Sequence, residues 1–355
     1  MFIKSLKLVN FRSWRDYDLE FKSVTILIGK NGVGKTNILE SIWFLANGRS
    51  WRVRHAQHAE ELILWGEDFS RISAKLENDH KDIEIFLPKD TATQYKQLKI
   101  DGIKHRFLDL LGVMPAVLFS PESIQLIDGA PGLRRRFLDV VLSQTSRQYA
   151  LNLIEYGKIL RERNKLLYHI KMKRSKLDEL DFWDGKLVAL GSDLMKDREE
   201  LIKFFNVNIA ASYKKIAGTS EKLAIKYHPA TEIDRFADIL FASREREVEQ
   251  AITAHGPHRD DFRIYLGGRD VATFGSRGEY RSVILSLKIV ELEFLAKKRG
   301  EKPILLLDDI FSELDHDRRM HLAEIIKDQQ TIITTTDLDH IEKGLREKAK
   351  IVELK

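Results

Sequence analysis

The chain of 355 residues contains no cysteine, which excludes disulfides, thiolate zinc sites and iron–sulfur clusters and is compatible with a reducing compartment. Proline is scarce: only seven occur, and none lies between Pro131 and Pro229, so the middle of the chain carries no obligate helix breaker. No apolar run approaches the roughly 20 residues of a membrane-spanning helix. The opening Met1-Phe2-Ile3-Lys4-Ser5-Leu6-Lys7 also lacks the apolar core of a signal peptide. A cytoplasmic protein without a membrane partner is expected. Strong charge of one sign is missing too: 59 basic against 54 acidic residues leave a net +5, which permits a nucleic-acid partner without demanding one. What remains is ordinary globular composition, 43% apolar and 32% charged, at a length suited to two domains or to one domain with an insertion.

The patterning changes twice along the chain. Alternation around Ile3, Leu6 and Leu8 and again at Leu19 and Phe21 predicts strands split by a polar turn at Ser13 to Asp16. Val24-Thr25-Ile26-Leu27-Ile28 reads as a buried strand, followed by a glycine-rich turn and by Ile38, Leu39, Ile42 and Leu45 at helical spacing. Segments 71–76, 82–87 and 96–103 alternate, with Asp101-Gly102 as a hairpin turn. From Phe137 to Leu167 and from Leu187 to Ile209 two helical stripes run on either side of the basic stretch Lys171-Met172-Lys173-Arg174-Ser175-Lys176, which predicts a helical hairpin with a basic tip. Strand patterns return at Leu223 to Tyr227, Phe262 to Leu266, Ile304 to Leu307 and Thr331 to Thr335, with a helix from Arg277. The expected division is a head in two parts, residues 1–118 and 220–355, with a helical arm lobe inserted at 119–219.

Gly29-Lys30-Asn31-Gly32-Val33-Gly34-Lys35-Thr36 fits the G-x-x-x-x-G-K-[ST] phosphate loop at every fixed position, with a strand before it and a helix after it. Glycines let backbone N–H groups turn toward phosphate oxygens at a helix N-terminus. Lys35 is then expected to reach the β- and γ-phosphates of ATP, and the Thr36 hydroxyl to ligate Mg²⁺. Ile304-Leu305-Leu306-Leu307-Asp308-Asp309 ends a buried strand in two carboxylates, where ligands of open α/β sheets bind. Asp308 is expected to hold Mg²⁺ and Asp309 to orient or deprotonate the attacking water. Ser276 and Glu279 have the spacing of a capping box at a helix start, which is also an anion site.

Together with Ser312-x-Leu314-Asp315, the Ser276-x-Gly278-Glu279 start and the aspartate pair resemble the signature, Walker B and D-loop set of ATP-binding-cassette ATPases. The resemblance implies a mixed α/β P-loop ATPase head with an antiparallel β part, working as an ATP-dependent homodimer in which Ser276 and Gly278 of one copy meet the γ-phosphate held by the other. The strings Leu6-Lys7-Leu8-Val9-Asn10-Phe11-Arg12, Asn47-Gly48-Arg49-Ser50-Trp51-Arg52, Phe119-Ser120-Pro121-Glu122, Gly132-Leu133-Arg134-Arg135-Arg136-Phe137-Leu138-Asp139 and Gly256-Pro257-His258-Arg259-Asp260-Asp261 resemble the RecF recombination-mediator family across nearly the whole chain. This implies an ATPase of bacterial gap repair that binds duplex DNA or duplex–single-strand junctions and works with RecR and RecO to load RecA. It adds Arg12 to the nucleotide contacts and makes Asp309, Lys35 and Ser276 the catalytic set. The alternative within the same superfamily is a short-armed SMC-like ATPase acting as a nucleotide-gated protein scaffold.

Two positions depart from the superfamily pattern: Ser120-Pro121-Glu122 stands where a Gln is usual, with Gln125 only nearby, and Thr336 stands where a switch His is usual. Both fit slow turnover. A metal site at His255, His258, Asp260 and Asp261 competes with a structural corner, and phosphate contacts by Arg134, Arg135 and Arg136 compete with a solvated helix start.

Overall fold

The computed structural model describes residues 2–53, 60–77, 81–90, 95–326 and 329–355. They form two compact units, one of residues 1–123, 215–218 and 284–355, the other of 124–214 and 219–283.

The first unit holds two sheets. Five strands run parallel in the order Lys350–Glu353, Val24–Ile28, Thr331–Thr335, Ile304–Asp308, Ala116–Phe119. The inner three and Ala116–Phe119 are buried along almost their whole length, as continuous β-branched and aliphatic runs require of a sheet covered on both faces. The second sheet is antiparallel, in the order Trp14–Glu20, Ile3–Phe11, Phe69–Leu76, Asp82–Pro88, Gln97–Ile100, Ile103–His105. Its alternation works as expected: Ile3, Leu6 and Leu8 are buried while Lys4 and Lys7 face water. The first turn is tighter than the sequence suggests. Arg12 and Ser13 alone make it, with Arg12 at φ +53°, and the strand resumes at Trp14. Gln330 couples the sheets, its side-chain amide accepting from the Ile3 N–H at 2.7 Å and donating to the Ile3 carbonyl at 2.8 Å.

The second unit is helical around a small sheet. The first expected stripe is two helices, Pro131–Thr145 and Arg147–Lys171, because Ser146 leaves the helix and caps the next one, accepting from the Tyr149 N–H. The other is one helix, Leu180–Ala217, of which the residues up to 214 belong to this unit. Strands Leu223–His228 and Asp261–Leu266 pair antiparallel, with Arg269–Asp270 beyond. This sheet belongs with the helical lobe, not with the head where the sequence division placed it. Arg134 bridges to Asp261 at 2.6 Å, and the Phe137 and Phe262 rings lie 6.2 Å apart. Strand periodicity alone cannot reveal which helix a sheet packs on.

Candidate nucleotide site

The strand Val24–Ile28 ends at the glycine-rich loop, and the helix Lys35–Asn47 starts directly after Gly34. Gly34 lies at φ +99°, and a Cβ there would come within 2.8 Å of the Ser13 hydroxyl and the Trp14 indole nitrogen. Only glycine lets the loop turn so close beneath the first hairpin. The Trp14 indole N–H donates to the Gly34 carbonyl at 3.2 Å, and its ring lies tilted against Tyr17 with centroids 4.2 Å apart. Lys30, Asn31 and Gly32 are exposed at the loop's crest and Val33 is half-buried. Lys35, 7% exposed, donates from Nζ to the carbonyls of Gly29 at 2.6 Å and Lys30 at 2.9 Å. Burial pulls its pKa below the usual lysine range, an effect opposed by the charges of Asp309 and Asp308.

Parallel pairing sets Ile304–Asp308 beside Thr331–Thr335, itself beside the loop strand, so three strand ends converge on one edge. Asp308 is 6% exposed, and its Oδ1 accepts from the Thr36 hydroxyl at 2.9 Å and from the Thr334 hydroxyl at 2.7 Å. Burial raises its pKa; the two hydroxyls pull it down and the charges of Glu122 and Asp309 push it up. Asp309 adopts the left-handed conformation, φ +52° and ψ +27°, and its amide donates to Thr334 Oγ1 at 2.9 Å. Its Oδ1 is buried and has no hydrogen-bond partner. A buried carboxylate oxygen without a donor is costly unless a ligand completes it.

These residues suit a magnesium triphosphate. The donor set is a hydroxyl and a carboxylate already in contact, a lysine ammonium and the backbone of a loop whose crest is exposed. Among the described residues no group of three or more acidic, histidine or cysteine side chains could form an all-protein metal cage. That matches Mg²⁺ chemistry, which uses one or two protein ligands and completes its shell with phosphate oxygens and water.

Arg12 has another occupation. Its guanidinium clamps Glu40, a fully buried carboxylate on the loop helix, at 2.7 and 3.0 Å, and donates to the Glu61 carbonyl. Glu40 also receives the Ser50 hydroxyl and Arg52, and Arg52 donates to Asn37 at 2.8 Å. Sequence reading missed Glu40, although a carboxylate within the apolar stripe Ile38, Leu39 and Ile42 was a signal. It missed Thr334 as well, where no local pattern could help.

In the second unit, Ser276 is exposed and opens the helix Arg277–Arg299. The capping box forms: the Ser276 N–H donates to Glu279 at 2.6 Å and the Glu279 N–H to the Ser276 hydroxyl at 3.2 Å. These bonds hold the Glu279 carboxyl below its usual pKa. Gly278 lies in the first turn, half-buried, and Phe274, just before, is 67% exposed. In the first unit, Asp315 caps the helix His316–Ile326, and the Ser312 hydroxyl donates to the Asp309 carbonyl.

Two sets of alternatives left open by the sequence are decided by the contacts. Arg134 is buried, holding Asp261 and the Gly129 carbonyl, and Arg135 donates to the Asp260 carbonyl, so neither is a free phosphate contact. His258 bonds Tyr156 and the Thr253 carbonyl, and Asp260 takes donors from Arg198, Tyr227 and Ala230; this is the structural corner, not a metal site. At the hairpin tip Lys171, Lys173, Arg174 and Lys176 are all exposed. Thr336 is exposed, while Thr335 is buried and bonds Asp337.

Residues 2–354 match the model of the RecF/RecN/SMC N terminal domain family. The chain is 38% identical over 358 residues to the DNA replication and repair protein RecF of Lachnoclostridium phytofermentans, covering 100% of this chain and 98% of that one. It is 35% identical to RecF of Moorella thermoacetica, covering 99% and 94%. Among solved structures, the recombination mediator protein RecF-ATP of the RecFOR pathway superposes with a TM-score of 0.89 at 32% identity, covering 96% of this chain and 93% of that one. An Smc head bound to the C-winged helix domain of ScpA, at 15% identity and a TM-score of 0.57, shares the fold alone. No helix among the described residues is long and apolar enough to cross a membrane.

Proposed function

The chain belongs to the RecF family of DNA replication and repair proteins, and we propose on that premise that it is an ATP switch of recombinational gap repair, closing as a homodimer on DNA. The observation that carries the reading is the Thr36–Asp308 contact at the mouth of the phosphate loop, beside an Asp309 oxygen that lacks a donor. In the ATP-bound protein the loop amides of Gly29 to Thr36 and the Lys35 ammonium bind the β- and γ-phosphates, Lys35 exchanging its two carbonyl partners for phosphate oxygens. Thr36 and Asp308 hold Mg²⁺, which when bound neutralises charge on the phosphate oxygens. Asp309 orients the attacking water and accepts its proton. Ser276 and Gly278 of the second copy close over the γ-phosphate, the helix N-terminus supplying partial positive charge. Arg12 acts through Glu40, holding the hairpin tip against the loop helix.

Hydrolysis is slow and resets the dimer, in keeping with Thr336 in place of a switch His. The DNA partner is duplex or a duplex–single-strand junction, contacted in part by the exposed cations of the hairpin tip. RecR, with RecO and RecA downstream, completes the pathway named for the ATP-bound relative. The working compartment is the cytoplasm, on the nucleoid.

Sedimentation with and without ATP and gapped DNA tests this. Wild type should dimerise with ATP, and Asp309→Asn should remain dimeric long after wild type has relaxed. An ATP-insensitive monomer for both would overturn the reading. ATP-driven dimers without salt-dependent DNA affinity would instead indicate a protein scaffold.

A further inference from the structure

The late strand Thr331–Thr335 ends in two threonines, with a third, Thr336, just beyond it in the position of the superfamily's switch His. The threonine that meets the aspartate pair is Thr334. This residue is fully buried, and its hydroxyl does two things at once. Its single hydrogen is donated to Asp308 Oδ1 at 2.7 Å, with the Leu307 carbonyl a longer alternative at 3.5 Å. Its oxygen accepts the Asp309 amide at 2.9 Å. One side chain thereby fixes the carboxylate of the first aspartate and the backbone of the second, the latter in a left-handed conformation uncommon outside glycine, asparagine and aspartate. Asp308 Oδ1 is held from both sides, by Thr36 and by Thr334, so its position does not depend on a ligand being present.

We infer that Thr334 is the positioning residue of the magnesium site: it presets the Asp308 carboxylate against Thr36 and orients the Asp309 side chain through its backbone. The inference rests on the proposed reading that Thr36 and Asp308 face Mg²⁺. Groups that hold a metal ligand from behind typically change metal affinity by about 10–100-fold when removed. Valine has nearly the same shape as threonine but offers neither donor nor acceptor, leaving the Asp309 amide and Asp308 Oδ1 each one partner short.

The experiment measures equilibrium binding of a fluorescent ATP analogue to the full chain across a Mg²⁺ titration, alongside steady-state hydrolysis. Thr334→Val should raise the half-saturating Mg²⁺ concentration about tenfold or more and lower kcat. Its nucleotide affinity in EDTA should stay within about twofold of wild type, a split that general loosening of the fold would not give. Thr334→Ser keeps the hydroxyl and should restore the wild-type Mg²⁺ dependence. If Thr334→Val does not fold, by thermal melting, Thr334→Ala is carried through the same titration. Unchanged half-saturating Mg²⁺ in the folded hydroxyl-less variant overturns the inference. Failure of the underlying reading looks different: wild type itself would then gain no nucleotide affinity from Mg²⁺.

Discussion

In the second unit Arg198 is 2% exposed, and it meets Asp139 at 2.8 Å, Asp260 at 3.2 Å, the Pro257 carbonyl at 2.7 Å and the Tyr149 hydroxyl at 3.1 Å. Asp260 in turn takes the Tyr227 hydroxyl and the Ala230 amide. In the first unit Asp308 is nearly as buried and Asp309 half-buried, but this pair lacks any such closure: among the described residues no arginine bridges to it, and one Asp309 oxygen has no donor. Both constellations remove charge from water. The first-named is complete in itself and serves the fold; the aspartate pair is complete only with something added. Buried charge alone is therefore not a mark of function; what points to a ligand here is a partner-short carboxylate oxygen standing beside the Thr36–Asp308 contact.

The contrast can be broken at either end. Removing the unfinished acid has the largest expected effect: Asp309→Asn should lower kcat by about 10²–10⁴-fold while leaving ATP affinity within about twofold. Phosphate release and nucleotide binding measured together check this, and unimpaired turnover would mean that the unpartnered oxygen has no catalytic part. Next comes the finished hub. Arg198→Met strands Asp139 and Asp260 and should cost about 3–5 kcal/mol of stability, read by urea unfolding, with little change in nucleotide affinity once folded.

His258 gives a third handle. Burial lowers its pKa from 6.5 to about 4, so the folded chain holds it neutral while the unfolded chain binds a proton below pH 6.5. Its contribution is fully present above pH 6.5 and is lost as pH falls toward 4, a loss of about 3 kcal/mol. Unfolding stability followed from pH 7 to 4 should fall accordingly, and His258→Gln should flatten that part of the curve. The smallest effect belongs to the capping box, where Ser276→Ala should cost about 1 kcal/mol in thermal melting. If the same change also abolishes ATP-dependent dimerisation, the exposed serine is a ligand contact as well as a cap.

The parts of this site that were legible from sequence share one property: their geometry is local. A phosphate loop is fixed spacing between a strand and a helix, and a capping box spans four residues, so Gly29 to Thr36 and Ser276 to Glu279 could be placed without knowing the fold. Asp308 was legible because a four-residue aliphatic run announces a buried strand and its end. Thr334 was not, because its use depends on which strand lies beside Ile304–Asp308, and that register is set by residues far along the chain. Arg134 was misjudged for a different reason. Its neighbours Arg135 and Arg136 suggested a basic cluster, yet helical spacing already aligned it with Phe137, Leu138 and Val141 on the inward stripe. The lobe division failed where strand periodicity was asked to name a packing partner.

The parallel sheet carries one more consequence, for how the protein is made. The strand that delivers the phosphate loop, Val24–Ile28, is made long before both of its neighbours, Thr331–Thr335 and Lys350–Glu353. While residues 29–330 are being made, that apolar segment has neither of these neighbours. The nascent chain must shelter it, by chaperone or by transient collapse, until residues 331–353 emerge. A polypeptide truncated before them has the loop's sequence but lacks both strands that flank the loop strand.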